Sequence, residues 1–265
     1  VNGLLGDDLT AVGDLVDEVD GGAGDLDTVL QCFLVNLQTV ETLTAEGGDQ
    51  AGMDIQDALG PLGSEVFGQD AHETGKDDQI KADGSTCGTF TINAPDFYME
   101  NITVKNPSTQ AQAIALCQKG DRHVLKNCKI LGNQDTHRTK KGRRYFYYNC
   151  EIEGGVDFIY AGGTCYFYQC NIVSNKAGYV TAPEDVPSFE KMSNGKNLYY
   201  GFFFNDCDLT AKAGVGAGSC YLGRPWGEKS GSVFMNCRLG AHINAAGWTK
   251  MGEETWKDCS FLEYK

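Results

Sequence analysis

Hydrophobic and polar residues recur in a fixed order along the second half of the chain. Asn127-Cys128-Lys129-Ile130 is followed by Asn149-Cys150-Glu151-Ile152, Gln169-Cys170-Asn171-Ile172 and Asp206-Cys207-Asp208-Leu209. Asn236-Cys237-Arg238-Leu239 and Asp258-Cys259-Ser260-Phe261 complete the series. The unit is polar, Cys, any residue, apolar, recurring after 22, 20, 37, 30 and 22 residues. Each copy follows an aromatic or apolar run such as RRYFYYN, TCYFYQ or YYGFFFND. Alternation at period two within each copy predicts strands, not helices. A strand-bearing unit repeating near 20–22 residues, with longer gaps where loops are inserted, predicts a solenoid. The expected fold is all-β, a right-handed parallel β-helix whose coils stack at the ~4.8 Å strand spacing.

The six Cys residues should then stack as an interior column of buried free thiols, a position that suits small hydrophobes. Stacked thiols are only marginally placed to bridge, because a disulfide needs its Cβ atoms ~3.5–4.5 Å apart. Residues 85–104 extend the strand-turn-strand texture upstream. Residues 25–40, DLDTVLQCFLVNLQTV, carry helical apolar spacing and are expected to form a short capping helix over the solenoid end, where an open sheet edge would invite aggregation. The chain is expected to be one β-helix domain over 1–265, with 1–84 forming the cap and first coils and 85–265 the catalytic coils.

Charge sharpens this division. The net charge is −14, yet residues 1–75 hold 16 Asp or Glu and no Lys or Arg, while the remainder carries all 22 Lys and Arg against 20 acids. The acidic third reads as a solvated surface. Eleven cysteines contain no CxxC pair, and His72, His123, His137 and His242 are scattered, so neither a metal site nor a cofactor is expected. No apolar run reaches the ~18 residues that would span a bilayer. Val1 in place of Met reads as the mark of a processed chain, in keeping with secretion.

The coil period also brings chemistry together. Asp135 and Asp157 lie 22 residues apart, as do Gln112 and Gln134, and Cys128 and Cys150. If one pair stacks, all three do, and the two carboxyls stand roughly 5 Å apart. Two carboxyls that close cannot both ionise cheaply, so one becomes an acid and the other a nucleophile at the same pH. The Gln amides offer the N–H donors an oxyanion needs. Arg224, in YLGRPW, is the expected bidentate partner of an ionised Asp157. A carboxyl pair at ~5–5.5 Å also describes a retaining glycosidase. The Gln pair favours ester chemistry.

At these residues the sequence resembles the pectin methylesterase (pectinesterase) family. The matching stretches are QAIAL (112–116), GDR (120–122), LGNQDT (131–136), GRRYFYYNCEIEGGVDFIY (142–160), YVTAP (179–183), YLGRPWGEKSGSVFMNC (221–237), GW (247–248) and FLEY (261–264). They run in order over about two-thirds of the chain. DGGAGDLDTVLQCF (20–33) and PLGSEV (61–66) are fainter matches upstream. The resemblance implies removal of methyl esters from polygalacturonate. It assigns Asp157 as nucleophile, Asp135 as general acid and base, Gln112 and Gln134 as oxyanion donors and Arg224 as the group orienting Asp157. Trp226, Trp248, Phe158 and Tyr160 would line the groove and stack on sugar rings, and the glycines on both sides of Asp157 (Gly154, Gly155, Gly162 and Gly163) would let substrate approach the backbone. The implied partners are the pectin (homogalacturonan) polymer and a proteinaceous pectinesterase inhibitor, with no nucleic acid and no membrane. The implied protein is a monomer, secreted to the extracellular space or cell wall.

The sequence departs from the family's pattern beside the site. His137-Arg138 stands where an apolar-aromatic pair is usual, and Tyr160-Ala161-Gly162 where Phe-Gly-Asn is usual. Met251 falls near the place of a second Trp. HRTKKGRR (137–144) is the densest basic cluster, read either as a clamp on a polyanion, with Arg138 in the groove, or as a solvated loop tip. Asn101-Ile102-Thr103 is a glycosylation sequon placed in an expected strand. Two other readings stay open: a glycosidase or lyase on the same solenoid, and an inactive solenoid that binds polysaccharide or an inhibitor protein.

Overall fold

A computed structural model describes residues 65–67, 88–109, 112–187, 189–252 and 259–264. The expected capping helix at 25–40 lies outside the described residues. Those described are strands, turns and loops, with no helix among them. They wind as a right-handed parallel β-helix. Every strand pairing among them is parallel except in the small hairpin of Phe189–Lys191 and Asn197–Tyr199.

One wall of the solenoid is a seven-stranded sheet. Its strands run Phe97–Glu100, His123–Lys126, Arg144–Tyr148, Thr164–Tyr168, Phe202–Asn205, Gly231–Met235 and Ser260–Tyr264. These are the aromatic runs of the repeat, and alternation sends every second side chain inward. Met99, Leu125, Tyr147, Phe167, Phe204 and Phe234 fall in one register column. The rings of Tyr147, Phe167, Phe204 and Phe234 stack in turn at centroid distances of 4.4, 4.5 and 4.4 Å, with interplanar angles of no more than 10°. Each is buried, and each such pair is worth ~0.5–1.5 kcal/mol beyond the area it hides.

At the end of the first six of these strands the chain turns a corner through a polar residue in the left-handed region. Asn101, Asn127, Asn149, Gln169, Asp206 and Asn236 all have φ between 50° and 58°. This is why the residue before each Cys is polar, since Asn and Asp tolerate that conformation at least cost. The corner side chains ladder, with Asn149 Nδ2 donating to Asn127 Oδ1 at 2.8 Å. The next residue turns inward: Cys128, Cys150, Cys170 and Cys207 are buried and free, as expected of a thiol column. Cys237 follows in register and is half-buried.

Two details of the repeat differ from its sequence reading. Thr103 pairs with Lys129, so Asn101-Ile102 is an earlier copy in which Ile replaces Cys. Asn101, with the sequon it begins, therefore stands at an exposed corner and not within a strand. Ser260 pairs with Gly231, so Cys259 falls beside Ser230 and lies outside the column. Its sulfur accepts from Ser230 Oγ at 3.4 Å. The longest gap in the repeat, between Cys170 and Cys207, is filled by the return from Asn171–Pro183 and the small hairpin.

Candidate active site

The second wall is an eleven-stranded sheet in which the strands Glu151–Ala161 and Asn171–Pro183 are long enough to bend around a corner. Glu151–Ala161 carries a β-bulge: Val156 pairs with Tyr179 and Ile159 with Thr181, so three steps on one strand face two on the other. Asp157 sits in this bulge at φ 51°. Asp135 (φ 57°) and Gln112 (φ 60°) take the same left-handed conformation on the two preceding coils. Bulges re-aim side chains, and here three successive coils present a polar side chain at one corner.

The predicted stacking holds. Gln134 bridges Val156 in parallel register, and Asp135 N donates to Val156 O at 3.0 Å. Asp135 thus lies beside Asp157. Ala113 N donates to Gln134 O at 3.0 Å, which sets Gln112 over Gln134 in the same way. Arg224 leaves the strand Cys220–Gly223 with its backbone N–H on Thr181 O at 3.0 Å. Its Nε donates to Asp157 Oδ1 at 2.9 Å and its Nη2 to Oδ2 at 2.6 Å. Its guanidinium carbon lies 3.9 Å from the centre of the Tyr179 ring. Asp157 is only 7% exposed, so this fork, held in turn by the ring, keeps a buried carboxylate paired.

Burial pushes the Asp135 carboxyl up to about 7; the charge of Asp157 adds to the rise and Arg224 opposes it. One carboxyl is therefore half protonated near neutrality while its neighbour is clamped by a cation. Gln112, Gln134, Asp135 and Asp157 line a cleft of about 240 Å³ together with Arg138, Tyr160, Trp226 and Met251. Such a pair, with amide donors beside it, can attack an acyl carbon and deliver a proton to a leaving oxygen. No cluster of three metal-ligating side chains occurs among the described residues.

A family model described as Pectinesterase matches residues 68–265. The chain belongs to the pectinesterase family. It is 41% identical over 174 residues to pectinesterase A of Emericella nidulans, covering 64% of this chain and 51% of that relative. Among solved structures, the pectin methylesterase of Aspergillus niger superposes with a TM-score of 0.58 at 33% identity, over 67% of this chain and 56% of that one. Pectin methylesterase PemA from Erwinia chrysanthemi superposes with a TM-score of 0.60 at 28% identity, over 71% and 68%. The chain spans about half the length of the curated relatives it matches.

Within this pectinesterase cleft the structure gathers Gln112, Gln134, Asp135, Asp157, Arg138, Tyr160 and Trp226. Arg224 joins them through Asp157. Trp226 is 46% exposed and tilts against Tyr160 at a centroid distance of 6.0 Å, which leaves one indole face open at the rim. Two expected groove residues are elsewhere. Phe158 is fully buried in the core, because the bulge resets the alternation: Phe158 and Ile159 both turn inward and only Tyr160 turns out. Trp248 is also core. It stacks on Phe261 at 4.6 Å, contacts Phe234 and donates its indole N–H to Glu263 at 2.9 Å, closing the end of the aromatic ladder.

The glycines need a different account as well. A Cβ on Gly154 would lie 2.2 Å from Phe158 Cβ, and one on Gly155 would lie 2.3 Å from Lys176 Cε. They make room for neighbouring side chains, not for substrate. Met251, Ile114 and Ala182 were missed as lining residues. Met251 alone had a signal, its place near the family's second Trp. Tyr179, the bed under Arg224, was quoted only as part of YVTAP.

Proposed function

We propose that this chain is a carboxylic ester hydrolase that removes methyl esters from pectin, releasing methanol and leaving free carboxylates on the polymer. The observation that carries this reading is the pair Asp157–Arg224 beside a protonatable Asp135. Asp157 Oδ attacks the ester carbonyl carbon, and the carbonyl π electrons move onto oxygen. Gln112 and Gln134 donate amide N–H to that oxyanion. As the oxyanion collapses, the C–O bond to the methoxy group breaks and Asp135 supplies the proton that makes methanol. The acyl group is left on Asp157. Asp135, now a carboxylate, takes a proton from water, whose oxygen attacks the acyl carbon. Collapse of the second intermediate returns Asp157 to its carboxylate, ready in the Arg224 fork. Sugar rings stack on Trp226 and Tyr160.

The substrate of this reading lies outside the cell, so the protein acts as a secreted enzyme of the extracellular space or cell wall. Methanol release from highly methylated pectin, measured for the unmodified protein and for Asp157→Asn, tests it. Asn keeps the shape and removes the nucleophile. Release by the first alone is expected. Equal release by both would remove Asp157 from the role, and no release by either folded protein would favour a solenoid that only binds polysaccharide.

A further inference from the structure

Asn101-Ile102-Thr103 plays no part in the site described above. It is the only Asn-x-Ser/Thr triplet in the chain without proline at its centre, the acceptor sequence for N-linked glycans. The fold places its two polar members in columns where each can be compared with its counterparts coil by coil. Asn101 belongs to the corner column, with Asn127, Asn149, Gln169, Asp206 and Asn236. The other five side chains are engaged. Asn149 Nδ2 donates to Asn127 Oδ1, Gln169 Nε2 donates to Asp206 Oδ2 at 3.1 Å, and Asn236 Nδ2 donates to Asn205 Oδ1 at 3.4 Å. Asn101 is exposed, and among the described residues its side chain makes no hydrogen bond.

Thr103 belongs to the outward column two residues further on. It pairs with Lys129, Lys129 with Glu151, Glu151 with Asn171, Asn171 with Asp208 and Asp208 with Arg238. There too the later coils are tied together. Lys129 faces Glu151 at 3.9 Å, Asn171 Nδ2 donates to Glu151 Oε2 at 3.2 Å, and Arg238 binds Asp208. The Thr103 hydroxyl makes no hydrogen bond among the described residues, and it is the only hydroxyl at this place in the column. On this coil alone both side chains are left out of the ladders, and together they spell an acceptor. An exposed corner has room for a bulky polar substituent, and the strand Thr103–Lys105 separates it from the catalytic corner. The strand that pairs with Thr103, Lys129–Leu131, comes a coil later in the chain, so the motif leaves the ribosome before that partner exists and meets a transferase unpaired.

We propose that Asn101 is an N-glycosylation site, modified as the chain enters a eukaryotic secretory lumen. This rests on the secreted-enzyme reading above. The Asn101 amide nitrogen attacks the anomeric carbon of an oligosaccharide carried on a polyprenyl diphosphate. The N–C bond forms, the C–O bond to the diphosphate breaks, and the amide gives up one proton. The glycan projects from the corner into solvent and leaves the cleft open.

The full chain, behind a cleavable signal peptide, is translated in a cell-free system with microsomes. Chain protected from added protease is compared before and after peptide-N-glycosidase F. The unmodified chain is expected to run one glycan heavier, to lose that shift with the glycosidase, and then to carry aspartate at position 101 by peptide mass. Asn101→Gln and Thr103→Ala should abolish the shift, and Thr103→Ser should keep it. Gln is already the corner residue at Gln169, φ 52°, so the first variant suits the conformation. Protected chain without the shift overturns the proposal, and the assay reads the chain on entry, before any failure to fold or be exported. So does a shift that survives Asn101→Gln. Methanol release, measured separately on the glycosylated protein and on Asn101→Gln, should be equal; none from either would remove the methylesterase reading and leave the glycan result to stand on its own.

Discussion

Beneath the cleft lies a buried polar network whose cost can be measured. His123, His137 and Gln118 are each fully buried. His123 Nε2 lies 2.8 Å from Ala94 O, which can only accept, so that nitrogen carries the proton. His123 Nδ1 must then accept from Gln118 Nε2, 3.0 Å away. This leaves Gln118 Oε1 to accept from His137 Nε2 at 2.7 Å and from the Tyr147 hydroxyl. His137 Nδ1 faces no partner. A second proton on either ring would be buried without an acceptor. Burial lowers His137 to about 3 and His123 to about 4, the latter despite the pull of Ala94 O, Asp121 and Asp96. Both groups have folded values below the unfolded 6.5, so the unfolded chain binds the extra protons. Their contribution is fully present above pH 6.5 and is lost as pH falls. At pH 5 the unfolded state gains RT ln(1 + 10^1.5), about 2 kcal/mol, for each ring, nearly independent of how far below 5 the folded value lies. The perturbation is His137→Leu, which leaves Gln118 Oε1 its Tyr147 donor. Urea unfolding at pH 8 and pH 5 gives the stability lost on acidification. That loss should shrink by about 2 kcal/mol in the variant. Asp135, whose raised value acts in the opposite sense, and the other carboxylates are common to both proteins and cancel. An unchanged pH dependence would refute the neutral buried His137.

Three further outcomes follow from the site. Asp135 must be protonated to release the alcohol, so kcat/KM should fall as pH rises through about 7, an apparent value that belongs to the carboxyl pair; a profile flat from pH 6 to 8.5 would remove Asp135 as the acid. Arg224→Gln leaves the Asp157 carboxylate buried without its fork and should cost ~3–5 kcal/mol by urea unfolding, while Arg224→Lys keeps the charge and should recover part of both stability and methanol release. Gly154→Ala forces a Cβ onto Phe158, the residue after Asp157, and should cost ~1–3 kcal/mol together with activity, whereas Gly216→Ala, whose nearest neighbour would be 3.9 Å away, should change neither.

How much of this was legible in the sequence depended on whether a feature repeats. The coil period, the thiol column and the stacking of Gln112 on Gln134 and Asp135 beside Asp157 all follow from one spacing, because a parallel solenoid copies each register to the next coil. The ends of that rule are where reading failed. Cys259 matches the motif by letters but precedes a strand of the seven-stranded wall, where the other copies follow one, since the pairing of Ser260 with Gly231 is set by the aromatic run and not by the Cys. Phe158 and Tyr160 share a parity that in a regular strand would put them on one face. A left-handed residue at Asp157 and the extra residue of the bulge break that parity, and period-two reasoning has no term for either. The same break after Asp135 hides His137 and exposes Arg138, so a pair read together as a loss of groove aromatic is two separate things: a core polar group and a free cation on the cleft floor. The conformation that lets the catalytic corner present its carboxyls is thus also what misleads the alternation beside it. Sequence reading of any coil of this kind should restart its count at the residue after each Asn, Asp or Gln that turns a corner.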